Sequence, residues 1–545
     1  MLTYFHGFIP GFWEQYEKVG LLNKNSGVRF CESLEIEEPL KFNNLARKGG
    51  ELYSLIKSNN LPFYIDRLQG GCFLEKYPYD MELVKEYKNI LGEKFFGFQM
   101  HEWSSNYLND LNKLDRNNCA EWTKEAIEEA VLREFKYPNV FLEAMSAEEM
   151  LKTGKPQSYK DFVKVCEWLF SDRQNYVNGD LITCNSYFLA PNLEFKRGLK
   201  RTMPEIGAQT PNTRFQMAYA RGMTKAYGAM LGAYYEPWGG QPFSACCYQK
   251  DNKNEWNIGS ETFPFETQGE NGGSSRSMQE RMQLYAYFAG AEFFAEEWGV
   301  CNTFYDWNDF CLTPYGKIKR DFIRFTEKYE DIGTPVTPIA IVLPENLAIL
   351  DTIDTEENKY LGFSVTGSVA EELKNIRKVL KMLFCETEEM MGTEKTSLLN
   401  CTVPDAIDIV HADKFNPDDY EYFVDLSGSD EFARKYSSKI CKAEDVPELL
   451  DRILPFSAKG GAMKQLTRLR DGSYYLLLTN NSGVERTVAN GERFLKEADS
   501  VVDIAIKEGL SLIKLEGKGE VHIKNDGMYF AEIPAGSWIL CKIGK

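Results

Sequence analysis

The chain has few of the residues that build metal or redox sites. Only four of its 545 residues are histidine, and no two of them are spaced as H-x-x-x-H. Its 13 cysteines are odd in number, scattered and without a C-x-x-C pair. This pattern is typical of reduced thiols in a cytoplasmic protein. It also argues against a zinc site, so we expect no metal and no cofactor.

Positive charge and long apolar runs are scarce as well. The 63 Lys and Arg are outnumbered by 81 Asp and Glu, which gives a formal net charge of -18. A nucleic-acid-binding protein normally carries a basic face, so that class is excluded. No run approaches the roughly 20 apolar residues of a membrane helix, and the first residues lack the pattern of a signal peptide. We expect a cytoplasmic protein with no nucleic-acid or membrane partner.

What the chain does contain is ample core material arranged as a parallel α/β pattern. The hydrophobic fraction is 43% and the aromatic fraction 13%, and the length predicts two to four domains. Residues 1–335 alternate short apolar runs with helical patterns. Counting a weak second strand at 28–31, this alternation gives eight strands and predicts a (β/α)₈ TIM barrel.

The pattern changes twice after the barrel. The proline-containing segment 334–338 marks a junction, and residues 336–456 alternate strands and helices in the manner of a flavodoxin-like α/β domain. Residues 457–545 hold short β-type runs separated by turn sequences, which predicts an all-β sandwich.

Three apolar strands of the predicted barrel end in a glutamate followed by a tryptophan. They lie at 95–103, 231–238 and 291–298, and their glutamates are Glu102, Glu236 and Glu297. The C-terminal strand ends of such a barrel gather in one mouth. Hydrolysis of a glycosidic bond needs two carboxyl groups on opposite sides of the anomeric carbon. We predict Glu102 and Glu236 as this pair, although a solvated strand-end carboxylate is the alternative for each.

Other polar and aromatic side chains near these strand ends are candidates for sugar binding. An indole offers a flat apolar face to a sugar, or it packs in the core. Tyr235 either steadies Glu236 or packs, and the Asp66-Arg67 pair either binds hydroxyl groups or forms a structural ion pair. Adjacent Glu296 and Glu297 point to opposite sides of a strand, so we place Glu297 in the cleft and expect Glu296 to meet a cation or solvent. The predicted substrate-binding residues are His101, Trp103, Tyr235, Trp238, Glu297, Trp298, Asp66, Arg67 and Asn185. The long polar stretch 239–277 is a candidate lid.

In this order of domains the chain resembles the family 42 β-galactosidases and their relatives in the retaining glycosidase clan A. The likeness is strongest at 276–279, 290–294 and 313–316, which are similar to that family's last barrel helix, last barrel strand and following turn. The resemblance implies that Glu102 lies on strand four as acid/base and Glu236 on strand seven as nucleophile. It implies a covalent glycosyl-enzyme intermediate, and subunit contacts through the middle domain. His101 stands where the clan carries an Asn that binds the sugar 2-hydroxyl group, which leaves the sugar open.

Together these observations predict a cytoplasmic retaining glycoside hydrolase that cleaves a terminal β-linked sugar from a small oligosaccharide or glycoside. We expect a homo-oligomer, either a dimer or a trimer. The alternatives are a non-catalytic carbohydrate-binding protein on a decayed barrel, which His101 favours, and a phosphorylase or transglycosidase with the same carboxylates. A scaffold that assembles through its middle domain predicts no ordered polar mouth.

Overall fold

A computed structural model describes most of the chain. The described residues are 2–31, 41–66, 79–117, 119, 121–134, 142, 144–185, 188–189, 191–207, 213–236, 269–270, 275–297, 303–305, 308–345, 347, 349–350, 367–384, 398–487, 491–524 and 527–545.

The first part of the chain forms a closed barrel of parallel strands, as predicted. Its strands are, in order, Thr3–Gly7, Ser26–Cys31, Phe63–Asp66, Phe95–His101, Leu181–Cys184, the two segments Arg201–Thr202 and Glu205–Gly207, Met230–Glu236, and Phe293–Glu296. The two short segments both pair with the seventh strand and together form the sixth position. The eighth strand pairs in parallel with both the first and the seventh, which closes the barrel. The weak second strand is therefore real.

Large apolar side chains fill the barrel interior. Because side chains alternate along a strand, each strand contributes every second residue to this layer. The rings of Phe5 and Tyr64 meet edge to face at 4.9 Å, and those of Phe5 and Phe96 at 5.0 Å. The interior cluster consists of Phe5, Tyr64, Phe96, Ile182, Cys184, Met203, Tyr234, Phe293 and Ala295. The barrel is thus a packed core, and its polar chemistry lies at the strand ends.

Helices surround the barrel and begin at recognisable capping residues. Ser275 accepts a hydrogen bond from the Met278 N–H, and Thr313 precedes a helix with proline at its start, which are favourable N-terminal signals. The helices of this part are Trp13–Lys18, Phe42–Leu45, Glu51–Asn59, Met81–Leu91, Trp103–Arg116, Lys124–Glu134, Ala147–Thr153, Tyr159–Tyr176, Pro191–Lys196, Thr213–Tyr227, Arg276–Phe288 and Pro314–Lys328.

The middle part is a parallel sheet with flavodoxin-like strand order. Its strands lie in the order Ile407–His411, Ile339–Leu343, Tyr422–Asp425 and Ile440–Cys441, which is the predicted doubly wound pattern. Its helices are Ser368–Phe384, Asp430–Lys435 and Val446–Ile453. The sheet docks on the barrel helix Thr213–Tyr227, where Arg221 Nε lies 2.6 Å from Asp408 Oδ1.

The C-terminal part consists of antiparallel sheets, in agreement with the predicted β-rich domain. Its strands are Phe456–Lys459, Met463–Arg468, Tyr474–Thr479, Val484–Thr487, Gly491–Phe494, Ser500–Ile506, Ser511–Gly517, Glu520–Ile523, Tyr529–Ile533 and Trp538–Gly544. Two short segments from earlier in the chain join these sheets: Thr334–Pro335 pairs with Met463–Arg468, and Gly269–Glu270 pairs with Val484–Thr487. The exact domain limits stay predictions, as do the oligomer and the role of 239–277, most of which lies outside the described residues. Within the part of the chain that is described, no helix combines the length and apolar content needed to cross a bilayer.

Candidate active site

Glu102 occupies a turn between the fourth strand and the helix that follows it. Its backbone lies in the left-handed region at φ 45° and ψ 31°, a conformation that a non-glycine residue adopts at a cost of about 1–2 kcal/mol. The Glu102 N–H donates to the Cys184 carbonyl at 2.6 Å, which continues the barrel hydrogen bonding past the end of the strand. The Glu102 side chain keeps 25% of its surface exposed. The turn therefore presents this carboxylate at the edge of the mouth.

His101 connects the fourth strand to the eighth. Its Nε2 lies 3.2 Å from Glu297 Oε1 and 3.5 Å from Glu102 Oε2. On its other side, the Gln99 amide lies 3.3 Å from His101 Nδ1. Since Gln99 and His101 are two residues apart, both face the barrel interior. The structure thus places the predicted residues His101, Glu102 and Glu297 in one cluster.

Glu236 closes the seventh strand and is 2% exposed. Gly207 lies beside it on the sixth strand. A Cβ added to Gly207 would lie 2.5 Å from the Glu236 carbonyl oxygen and 2.8 Å from its Cβ. Only glycine fits at this approach, so the backbone of the sixth strand supports Glu236 directly.

Glu205 belongs to the same cluster, although the sequence reasoning did not select it. It lies on the sixth strand, is 3% exposed, and its N–H donates to the Asn185 carbonyl at 3.0 Å. Its carboxyl places an oxygen within 4.8 Å of side-chain ligand atoms of His101 and Glu297. Burial raises the pKa of Glu205 well above its usual range, and the charges of Glu102, Glu297 and Glu236 raise it further. The signal that could have found it is an acidic residue inside the otherwise apolar run 203–207.

The two adjacent glutamates of the eighth strand separate as predicted. Glu296 faces the outer helices, where its carboxylate lies 2.6 Å from Lys319 Nζ and accepts a hydrogen bond from Tyr4 at 2.6 Å. Glu297 faces His101 in the mouth. The cation for Glu296 comes from the helix Pro314–Lys328, which supplies Lys319.

Asp66 forms a structural ion pair in the barrel interior. Its Oδ2 lies 2.9 Å from Arg29 Nε and accepts a hydrogen bond from the Tyr234 hydroxyl at 3.4 Å. Asp66 is fully buried. Asp66 therefore forms a structural ion pair, with Arg29 as a partner. Arg67 lies outside the described residues, so the predicted Asp66-Arg67 pair stays a prediction.

Trp103 is a core residue, and its predicted role in sugar stacking is wrong. Its indole is fully buried and its Nε1–H donates to Glu194 Oε1 at 2.8 Å. The helix Trp103–Arg116 begins at this residue, which turns the side chain away from the mouth. No face of the ring is open to a ligand.

The predicted sugar-binding role of Asn185 is wrong as well, because its side chain is buried. Its Nδ2–H donates to Glu194 Oε1 at 2.6 Å, while its Oδ1 accepts a hydrogen bond from the Ser104 hydroxyl at 3.2 Å. Asn185 and Trp103 therefore anchor the first turn of the helix that follows Glu102 to the buried carboxylate of Glu194. Asn185 is itself buried, so its amide acts in this structural contact.

Tyr235 points away from Glu236, because successive residues on a strand face opposite sides. It packs fully buried among the barrel helices, with its ring 6.5 Å from that of Phe294. The prediction that Tyr235 steadies the Glu236 carboxylate is therefore wrong, and the alternative of core packing is correct. Trp238 and Trp298 lie outside the described residues, so their predicted stacking roles stay predictions.

The cluster also has the composition of a cation site. His101, Glu205 and Glu297 each offer a ligand atom, and these atoms lie within 4.8 Å of one another. Burial and the neighbouring carboxylates raise the pKa of Glu205, which disfavours a charged metal ligand at this place. We therefore interpret the set as a histidine among carboxyl groups and not as metal ligands. The expected absence of a metal stays a prediction.

Comparisons with known proteins give the chain no family. No family model and no curated sequence matches it. Among solved structures, the catalytic module of a family 98 glycoside hydrolase from Streptococcus pneumoniae is similar at 10% identity and a TM-score of 0.44, covering 99% of this chain and 98% of that one. A β-galactosidase from the Antarctic haloarchaeon Halorubrum lacusprofundi is similar at 9% identity and a TM-score of 0.43, with coverages of 99% and 98%. Likeness this weak assigns no function, and the resemblance to family 42 stays a prediction.

Proposed function

We propose that this protein is a retaining glycoside hydrolase that removes a terminal β-linked sugar from a small oligosaccharide or glycoside. The observation that supports it is the group of carboxyl side chains from Glu102, Glu205, Glu236 and Glu297 at the C-terminal mouth of a closed barrel. Like charges repel in a buried site, so a group of this kind is retained where the chemistry uses it. Glycoside hydrolysis uses paired carboxyl groups of this type.

In the proposed mechanism, Glu236 is the nucleophile. Its carboxylate attacks the anomeric carbon, and the bond from that carbon to the leaving oxygen breaks. Glu102 gives a proton to the leaving oxygen, which departs as an alcohol. The product of this step is a sugar ester on Glu236. The close approach of the Gly207 backbone to Glu236 keeps the attacking carboxylate oxygen in a fixed position.

Glu102 then acts in the reverse sense. It takes a proton from a water molecule, whose oxygen attacks the anomeric carbon and releases Glu236. The partial exposure of Glu102, compared with the buried Glu205, suits the carboxyl that exchanges protons with substrate and water. His101, held between Glu102 and Glu297, fixes the position of this carboxyl.

The test is covalent trapping with a panel of activated 2-deoxy-2-fluoro glycosides, followed by intact-protein mass. The expected result is a mass increase of one fluorosugar in the wild type and none in Glu236→Gln. Glu520→Gln, on an exposed C-terminal strand, is the matched control and is expected to label like the wild type. Peptide mapping is expected to place the label on Glu236, and a label on another residue would overturn its role.

Product stereochemistry by NMR provides the second arm. A first-formed product with the anomeric configuration of the substrate supports the double displacement, and the opposite configuration overturns it. Turnover that depends on phosphate would identify a phosphorylase. Sugar binding without any turnover would identify the carbohydrate-binding alternative.

A further inference from the structure

Glu194 places a buried carboxylate among three hydrogen-bond donors in the wall of the barrel. The side-chain N–H groups of Trp103 and Asn185 donate to its Oε1 at 2.8 and 2.6 Å, and the Thr183 hydroxyl donates to its Oε2 at 3.0 Å. Glu194 is fully buried. Burial raises the pKa of its carboxyl, and the three hydrogen bonds oppose this rise because they stabilise the ionised form. One carboxylate is therefore the common acceptor of three side chains.

The fifth strand directs Thr183 toward Glu194. Ile182 and Cys184 belong to the interior cluster of the barrel. Successive side chains of a strand face opposite sides, so Thr183 between them points outward. Glu194 comes from the helix Pro191–Lys196, which lies against this outer face. The contact is thus part of the barrel wall and not of the mouth.

The helix that carries Glu194 is itself anchored to the middle part of the chain. Asn192 Nδ2–H donates to the Glu345 carbonyl at 2.5 Å, and Lys196 Nζ lies 2.7 Å from Asp413 Oδ2. Because these contacts fix the helix from the middle part, Glu194 is a stationary acceptor for the barrel wall.

The three donors flank the backbone hydrogen bond that holds Glu102. The Glu102 N–H donates to the Cys184 carbonyl at 2.6 Å. Trp103 directly follows Glu102 in the chain, and the other two donors directly precede and follow Cys184. Glu194 therefore restrains both the donor side and the acceptor side of this hydrogen bond.

Glu102 needs such a restraint because its backbone is strained. Its φ of 45° and ψ of 31° lie in the left-handed region, which a non-glycine residue adopts only at a cost. A strained conformation persists where the surrounding structure holds it from several sides. Without the hold on its two neighbours, the turn would relax and carry the Glu102 carboxyl away from the edge of the mouth.

We propose that Glu194 is a positioning residue for the acid/base step, holding the strained turn that presents the Glu102 carboxyl to the leaving oxygen. This inference rests on the proposed function. A general acid must lie within hydrogen-bond reach of the atom that it protonates. Loss of the Glu194 carboxylate should therefore impair protonation of the leaving group more than attack by Glu236, which belongs to the seventh strand.

The experiment compares kcat/KM on two glycosides of the sugar identified by trapping, one with an alkyl and one with a dinitrophenyl leaving group. Departure of dinitrophenolate needs little proton donation, whereas an alkyl alcohol needs an acid. In Glu194→Leu, which fills the site without an acceptor, we expect kcat/KM on the alkyl glycoside to fall about tenfold or more relative to the dinitrophenyl glycoside. A wild-type ratio, or equal losses on both substrates, would overturn the positioning role.

Glu194→Gln is the conservative variant. Its amide oxygen can accept the two hydrogen bonds that Oε1 accepts, and the Thr183 hydroxyl can turn to accept from its NH₂ group. We expect most of the wild-type ratio to return. Asp408→Asn is the matched control, because Asp408 is also a fully buried carboxylate but pairs with Arg221 where the middle part docks. A ratio as low in either variant as in Glu194→Leu would contradict the role.

Two milder variants test the same contact if Glu194→Leu fails to fold. Thr183→Val removes one of the three hydrogen bonds with little change of shape, and Trp103→Phe removes another and keeps an aromatic ring. In each we expect the ratio of the two kcat/KM values to fall by about threefold or more. Wild-type ratios in both would overturn the proposal.

Hydrogen exchange measured without substrate keeps the inference distinct from the proposed function. The Glu102 amide is expected to exchange about tenfold faster or more in Glu194→Leu and at the wild-type rate in Asp408→Asn, as read by mass spectrometry of peptides that span 101–106. If exchange is faster and the wild type turns over no glycoside, the proposed function fails and the hold on Glu102 stands. Unchanged exchange overturns the inference whatever the activity.

Discussion

His101 Nε2 lies 3.2 Å from Glu297 Oε1, so an imidazole on the fourth barrel strand contacts a carboxylate from the end of the eighth. The same nitrogen lies 3.5 Å from Glu102 Oε2. Because one ring faces two carboxyl groups from different strands, its position is coupled to both. His101 is therefore central to the geometry of the mouth.

Replacement of His101 by Phe removes both contacts and keeps a ring of similar shape. We expect kcat to fall by about 100-fold, because small displacements of a catalytic group have effects of that order. The measurement is steady-state kinetics on the glycoside identified by trapping. His522→Phe, at an exposed C-terminal position, is the control and should match the wild type. An unchanged kcat in His101→Phe would exclude this positioning role.

Gly207→Ala tests the support of Glu236. The added methyl group would lie 2.5 Å from the Glu236 carbonyl oxygen, so the end of the seventh strand must move. We expect the rate of labelling by a fluorosugar to fall by about 100-fold in protein that retains its far-UV circular dichroism. Gly461→Ala, where the nearest atom would be 3.9 Å away, should label at the wild-type rate. Equal labelling of both variants would contradict the expectation.

Lys319→Met tests the buried ion pair with Glu296. Removing the cation leaves a buried carboxylate, and we expect a loss of about 3–5 kcal/mol in the free energy of unfolding. The matched variant is Lys24→Met, which removes an exposed ion pair to Glu330 at 2.9 Å and should cost at most about 1 kcal/mol. Urea denaturation measures both. Similar losses in the two variants would argue against a structural role for the buried pair.

The stability of the protein should depend on pH through Glu205. Its pKa is raised in the folded state, whereas in the unfolded chain a glutamate titrates near about 4.3. Between these two values the folded state binds more protons, so the free energy of unfolding falls as pH rises. Glu205→Gln lacks this titration and should gain on the wild type by up to about 1.4 kcal/mol per pH unit over this interval. Parallel curves for the wild type and this variant between about pH 5 and about pH 8 would exclude the raised pKa.

The strand pattern predicted from the sequence agrees closely with the structure. Even the weak second strand exists as Ser26–Cys31, because it pairs in parallel with both the first and the third strand. Short or turn-flanked strands were harder to find. Phe456–Lys459 and Tyr529–Ile533 mix polar and apolar residues and become strands through their antiparallel partners.

The sequence by itself determined which strands carry a carboxylate at their C-terminal ends, because a charged residue after a buried apolar run marks the edge of the core. Only the tertiary structure decided the partners. It paired Asp66 with the distant Arg29, brought Glu205 close to His101 and Glu297, and turned Trp103 into the core where its helix begins. These contacts depend on strand register and barrel closure, which join residues far apart in the chain, and local sequence patterns do not record such distances.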